Sequence, residues 1–298
     1  FSFRWSQIFE AGDIPASCTV LKARPTDDSE TPSYAPVPID EVVETIRREK
    51  PEMFFAPHVE TSAGIVLPLE YMRAVADTVH EVGGLFVLDC VASGAIWVDM
   101  QAAGVDILIS APQKGWSASP CAALVMMSKR ARSAIDATQS SSFACDLKRW
   151  LGIMEAYEGG GHAYHATMPT DALVKFRDTM KETAARGFEV ARAEQQELGD
   201  KVRAMLERNG FKSVAAEGFK APSVVVNYTD AADIQNGSRF ASEGLQIAAG
   251  VPLECGEGEG FQTFRLGLFG LDKLENIDRT VANLDDALQK ILTETNVR

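Results

Sequence analysis

The sequence predicts an α/β protein with a mostly parallel central sheet flanked by helices, followed by a small C-terminal α+β domain. The first observation behind this is a set of short apolar runs, Met53-Phe54-Phe55-Ala56, Leu85-Phe86-Val87-Leu88 and Ile107-Leu108-Ile109, separated by stretches of helical spacing. Uninterrupted apolar runs of that length suit strands covered on both faces, which is the situation of parallel strands joined by crossover helices. The second is a change of pattern beyond residue 186, where apolar segments at 223–226 and 264–267 alternate with helices in a block of their own. The third is size: 298 residues, 46% hydrophobic and 24% charged, can bury a large core and divide in two. The expected domains are 1–186 and 187–298.

The elements follow in order. Residues 1–10, FSFRWSQIFE, begin inside a helical pattern. Pro38-Ile39-Asp40 is a helix start, followed by Val42, Val43 and Ile46 on one face and closed by the basic Arg47-Arg48-Glu49-Lys50. Met53 to Ala56 reads as a short buried strand. Pro68 opens a helix across 69–82 that Gly83-Gly84 ends. A strand at 85–88, a short helix around 98–103 and a strand at 106–110 complete a βαβ series with right-handed crossovers. Ala122 to Met127 reads as a strand returning through the core. A long helical pattern spans 170–209 with a break near Gly187. Beyond it, strands are expected at 210–211, 223–226, 247–248 and 264–267, with helices over 233–244 and 276–292. Gly256-Glu257-Gly258-Glu259-Gly260 lacks the last glycine of a dinucleotide fingerprint and reads as a mobile turn. No internal repeat is evident.

Two polar residues stand just past strand ends. Asp89 follows Leu88, and Lys114 lies four residues beyond Ser110. In open α/β sheets ligands sit beyond the carboxyl ends of the strands, so both groups would point at one crevice. Taken singly, an aspartate there is a turn former and a lysine is a solvated charge. Together they suit pyridoxal phosphate (PLP), which takes a lysine as Schiff base and a carboxylate against its pyridine nitrogen.

Composition excludes other classes. A formal charge of -13 argues against nucleic acid or an anionic membrane as partner. It leaves room for an anionic cofactor, because local donors hold a phosphate. The five cysteines, Cys18, Cys90, Cys121, Cys145 and Cys255, are scattered with no CxxC spacing, which points away from zinc and disulfide frameworks and toward a reducing, cytoplasmic setting. No apolar stretch approaches the roughly 20 residues of a membrane span, and the first residues do not resemble a signal peptide. Asn227-Tyr228-Thr229 and Asn236-Gly237-Ser238 match the glycosylation pattern by chance in that setting.

Asp89-Cys90-Val91-Ala92-Ser93-Gly94 and Ser110-Ala111-Pro112-Gln113-Lys114 resemble, in order and spacing, the cofactor segment of class V aminotransferases, fold-type I PLP enzymes that include alanine–glyoxylate and serine–pyruvate aminotransferases. Three further words extend the likeness. His58-Val59-Glu60-Thr61-Ser62-Ala63-Gly64 is similar to a family segment at the neighbouring strand end. Tyr164-His165-Ala166-Thr167-Met168-Pro169 is similar to the word that reaches the phosphate of the neighbouring subunit. Phe264-Arg265-Leu266-Gly267 resembles the Phe-Arg-Ile-Gly word. The resemblance implies that Lys114 carries PLP and Asp89 holds the pyridinium proton. It implies that Gln113 and Ser93 lie near the ring, that Ser62, with Thr61 beside it, bonds the ring oxygen or phosphate, and that Phe1 stacks on the pyridine. It further implies that Tyr164 and Thr167 complete the partner's site in a homodimer, and that Arg265 binds the substrate's α-carboxylate.

The family carries, upstream of the position of Phe1, a Ser/Gly-rich turn leading into a helix whose amides hold the phosphate; this sequence lacks it, and the native protein is expected to start earlier. The implied activity is transfer of an amino group from an amino acid to a small 2-oxo acid such as glyoxylate or pyruvate, by ping-pong kinetics. The alternatives are an aminophosphonate transaminase, a lyase or desulfurase of the same fold, or a non-catalytic domain derived from one. A desulfurase normally has a histidine where Pro112 stands.

Overall fold

The structure is a computed structural model that describes residues 1–295. In chain order the elements are α1 (Phe3–Gly12), β1 (Arg24–Pro25), β2 (Tyr34–Ala35), α2 (Ile39–Glu49), β3 (Met53–Pro57), β4 (Val59–Glu60), β5 (Ile65–Val66), α3 (Leu69–Glu81), β6 (Leu85–Asp89), α4 (Met100–Ala103), β7 (Ile107–Ser110) and β8 (Leu124–Met127). They continue with α5 (Lys129–Ala137), α6 (Leu147–Glu158), α7 (Thr170–Arg186), α8 (Phe188–Arg208), β9 (Val224–Tyr228), α9 (Ala232–Gln235), α10 (Ser238–Ser242), β10 (Ala248–Ala249), β11 (Thr263–Gly267), α11 (Leu271–Leu274) and α12 (Ile277–Thr295).

Among the described residues the main sheet has the order β3-β6-β7-β8. The pairs β3–β6 and β6–β7 are parallel and β7–β8 is antiparallel. Its centre is β6, whose Phe86, Val87 and Leu88 are buried to within 1% of full burial. The helices that cover it present apolar stripes at helical spacing. From α3, Met72, Val75, Ala76 and Val79 join Val42 and Ile46 of α2 against Phe86 and Leu88. Each of these side chains larger than alanine contributes about 1.5–3 kcal/mol by leaving water. The amino ends of the strands are closed by Asp106, which accepts from the Phe86 amide (3.0 Å), His80 Nε2 (2.7 Å) and Ser128 Oγ (2.8 Å). That leaves the carboxyl ends as the open side.

The second layer is the antiparallel sheet β10-β11-β9. It is covered by α8 and α12 through Leu198, Val202, Met205, Leu206, Leu288 and Ile291. The helix break falls where the sequence places it: α7 ends at Arg186, and Gly187 (φ 93°) starts α8 in a new direction.

Several expectations are corrected. The run at Met53 is not buried on both faces, since Met53 is 40% exposed and β3 is an edge strand. Its Phe55 is instead covered by Trp5 (4.8 Å between ring centroids) and Phe9 (5.0 Å) of α1. The returning strand β8 is half-buried at the opposite edge rather than running through the core. The helix expected over 233–244 is split into α9 and α10, because Gly237 turns left-handed (φ 81°) between them. Residues 210–211 form no strand; the Phe211 amide closes the end of α8 on the Leu206 carbonyl (3.1 Å). The glycine-rich turn at 256–260 is tied rather than open, the Glu257 carboxylate accepting from the amides of Glu254 (2.8 Å) and Cys255 (2.8 Å). Among the described residues no helix is long and apolar enough to cross a membrane.

Candidate active site

Parallel pairing sets Asp89 opposite Ile109 and Pro57 opposite Asp89, so β3, β6 and β7 end at one level. Three loops leave from there, carrying His58 to Ser62, Asp89 to Gly94 and Gln113 to Ser117. The His58 amide donates to the Asp89 carbonyl (2.8 Å) and the Cys90 amide to the Ile109 carbonyl (2.7 Å). The Gly115 backbone rests directly on the carbonyl of Gly94, where no Cβ would fit. These contacts lock the Asp89 and Lys114 loops together.

Asp89 accepts the Val91 amide on one carboxylate oxygen (2.9 Å). Burial pushes its carboxyl above the ordinary range, the Val91 hydrogen bond pulls back, and the nearby Glu60 charge pushes up again. Such a carboxylate gains from a cationic partner. Lys114 is half-buried, with its Nζ 5.0 Å from the ring centroid of Phe269. Gln113, beside it, is exposed.

His58 is buried, bonds Ser93 Oγ through Nδ1 (2.8 Å), and is held neutral with its pKa pushed down to about 4 by burial and by the Arg192 charge. Ser93, itself 4% exposed, therefore has its hydroxyl committed behind the crevice. An unfolded histidine takes up a proton as pH falls through about 6.5, whereas His58 in the fold does so only near 4. Stability is thus complete above that window and lost as pH drops through it, by roughly 3 kcal/mol in total. Urea unfolding of His58→Gln is expected to show a shallower loss between those pH values than the parent chain; equal slopes would contradict the assignment.

Glu60 was not singled out from sequence, yet it organises the hairpin. Its carboxylate accepts from Ser62 N (3.0 Å), Ser62 Oγ (2.7 Å), Ser2 N (2.9 Å) and Ser2 Oγ (2.5 Å). Ser62 is consequently buried and engaged, while the adjoining Thr61, half-exposed, makes no side-chain hydrogen bond among the described residues. Glu60 also faces Arg265, whose buried guanidinium its charge supports. Arg265 lies on β11, 8% exposed, with Nε donating to the Ala249 carbonyl (2.8 Å) and the guanidinium carbon 5.1 Å from the Phe1 ring. Its two terminal nitrogens make no hydrogen bond or ion pair among the described residues. Burial lowers its pKa, so an arriving anion is the natural partner.

The structure thus places Asp89 and Lys114 on loops locked together past the strand ends, Thr61 and Ser62 in the turn beside Glu60, and Phe1 against Arg265 of β11. Tyr164 and Thr167 stand apart on the surface: Tyr164 is 77% exposed and bonds Thr167 (3.0 Å).

Gln195, also missed, holds the two layers together. Wholly buried on α8, it accepts the Ala95 amide (3.3 Å) and donates to the carbonyls of Pro222 (3.2 Å) and Leu268 (3.1 Å). Gln195→Ala strands three buried backbone groups and is expected to cost roughly 2–4 kcal/mol in denaturant unfolding; a loss under about 1 kcal/mol would remove it from this role. The signal was present, since Gln195 sits on the apolar stripe of Ala191, Leu198 and Val202.

The α/β architecture, with an acid and a lysine past adjacent strand ends and a buried arginine on the second sheet, defines a protein of the fold-type I class. The Aminotransferase class-V family model matches residues 26–258, and the chain belongs to that family. It is 27% identical over 263 residues to the alanine–glyoxylate aminotransferase of Felis catus, a match covering 85% of this chain and 61% of that protein. It is 28% identical over 238 residues to 2-aminoethylphosphonate–pyruvate transaminase 1 of Burkholderia lata, with 78% and 61% covered. The fold matches the crystal structure of an alanine–glyoxylate aminotransferase from Nostoc sp. (TM-score 0.73, 24% identity, 86% of this chain and 66% of that one). It also matches pyridoxamine–pyruvate aminotransferase from Mesorhizobium loti (TM-score 0.74, 17% identity, 87% and 64%). The chain therefore spans about 61% of the length of the curated relative from Felis catus.

Proposed function

We propose that this chain is the catalytic portion of a PLP-dependent aminotransferase that moves an amino group from an amino acid to a small 2-oxo acid such as glyoxylate or pyruvate. The observation that carries the reading is the pairing of a half-buried acid and a lysine on locked loops of adjacent strands with a buried guanidinium whose terminal nitrogens are uncommitted. The residues suit the cofactor. Asp89 keeps one oxygen clear of the Val91 amide and is destabilised as an anion until a cation meets it. Thr61, next to Glu60 in the chain, has an uncommitted hydroxyl and is the better hydroxyl donor, since that of Ser62 is held by Glu60. Phe1 offers a ring face beside Arg265.

PLP, when bound, supplies an electron sink for the negative charge left on the substrate's α-carbon. Asp89 would hold a proton on the ring nitrogen, and Lys114 would bind the cofactor and would move the proton from the substrate's α-carbon. Arg265 orients the substrate by clamping its carboxylate in a fork geometry. Two half-reactions through one site imply ping-pong kinetics. The reading extends to a homodimer in which exposed Tyr164 and Thr167 reach the partner's cofactor, to domains meeting at Gly187, and to a cytoplasmic setting consistent with five unpaired cysteines.

The test is a panel of amino donors with glyoxylate and with pyruvate, run on the PLP-loaded chain and on Arg265→Ala. The parent should transaminate in parallel-line kinetics. The variant should lose roughly a hundredfold in kcat/KM, about 3 kcal/mol, mostly through KM. Unchanged KM in Arg265→Ala would remove the arginine from the site.

A further inference from the structure

We propose that the ring of Phe269 is the seat of the free Lys114 amine, which makes Phe269 a positioning residue for that lysine. The inference rests on Lys114 being the reacting amine. Its Nζ lies 5.0 Å from the centroid of the Phe269 ring. Among the described residues that nitrogen makes no hydrogen bond and has no carboxylate within ion-pair distance, so the aromatic face is its one recorded partner. An ammonium half-withdrawn from water gains from such a face, whose quadrupole presents negative charge to it.

The ring is held in place from both sides. At Gly267 a Cβ would come 3.0 Å from the ring edge, so a glycine there lets the ring fold back along its own strand. The Leu268 amide donates to the Ser223 carbonyl (2.9 Å), and the Leu268 carbonyl accepts from Gln195 (3.1 Å). Beyond the ring, the Leu271 amide donates to Ser117 Oγ (2.8 Å), three residues after Lys114. The lysine loop and the Phe269 turn are thereby strapped together.

Arg265 and Phe269 lie four residues apart on the same fixed stretch of chain, so the anchor for the substrate's carboxylate and the seat for the amine keep a constant separation. An amine released onto that seat starts each proton transfer from a defined place relative to the α-carbon.

The cofactor-free chain supplies the first readout. A pulse of an acylating reagent, with each lysine quantified by peptide mass spectrometry, measures how firmly that amine is held against the ring. Phe269→Leu, which keeps apolar bulk and removes the ring, should acylate Lys114 roughly two- to fivefold faster. Phe269→Tyr, which keeps the face, should match the parent. Rates at Lys220 and the other lysines report the fold; if Phe269→Leu accelerates all of them together, Phe269→Met takes its place with the same expectation. In the PLP-loaded chain Phe269→Leu should lower kcat with the donor KM unchanged. Equal Lys114 rates in parent and leucine variant, or a tyrosine variant that behaves like the leucine one, would overturn the proposal. Because acylation needs no cofactor, a chain that fails to transaminate yet shows the acylation difference would sink the aminotransferase reading and leave the seat standing.

Discussion

Lys114→Ala is expected to leave the PLP-loaded chain at least about a thousandfold slower in transamination, since in the proposed function it removes both the group assigned to bind the cofactor and the base assigned to move the α-proton. The fold should hardly notice. Lys114 is half-buried and its side chain makes no hydrogen bond among the described residues, while the loop around it is fixed by backbone contacts that alanine keeps, Gly115 on Gly94 and Ser117 N to the Lys114 carbonyl (3.1 Å). A melting transition like the parent's together with lost activity and lost yellow colour is the expected pair. A variant that stays yellow and active would show that another amine does this work.

Asp89→Asn is the second large effect, at least about a hundredfold, because a carboxylate raises the pKa of a cationic neighbour by one to three units and an amide does not. Here activity and stability should move apart. Burial makes the Asp89 carboxylate costly in the fold, raising its pKa, so the destabilisation is present above the folded pKa and relieved as pH falls through it. The asparagine variant carries no such cost and can still accept the Val91 amide. Without cofactor it should therefore unfold at an equal or higher denaturant concentration than the parent at neutral pH. Loss of stability together with loss of activity would mean that Asp89 is a structural cap and nothing more.

What the sequence made legible follows from how local each signal was. The strand at Leu85, the helix ended by Gly83 (φ 87°) and the break at Gly187 (φ 93°) are set by neighbouring residues, and the structure has them where the periodicity puts them. The split at Gly237 was missed because a single glycine inside an apolar spacing does not declare a left-handed turn. The exposure of β3 was missed for another reason: a run such as Met53-Phe54-Phe55 looks the same in the middle of a sheet as at its edge under the aromatic face of α1. At the site, Asp89, Lys114 and Arg265 could be picked out because each stands at a strand end or on a strand where its charge is conspicuous. Glu60 was hidden among hydroxyl residues of the same word, and nothing local to that word shows that its carboxylate engages the Ser62 hydroxyl. Gln195 and Phe269 act across 100 and 155 residues of chain respectively, on Ala95 and Lys114, and no pattern along the sequence encodes a contact of that span.

The most direct measurement is covalent trapping. The chain is incubated with PLP, reduced with borohydride, digested and mapped for the pyridoxyl mass. The account predicts that the label falls on the peptide containing Lys114, at about one per chain, that Lys114→Ala removes it, and that Asp89→Asn weakens the saturation that precedes it. Label spread over surface lysines, or a Lys114 peptide that stays unmodified at saturating PLP, would contradict it.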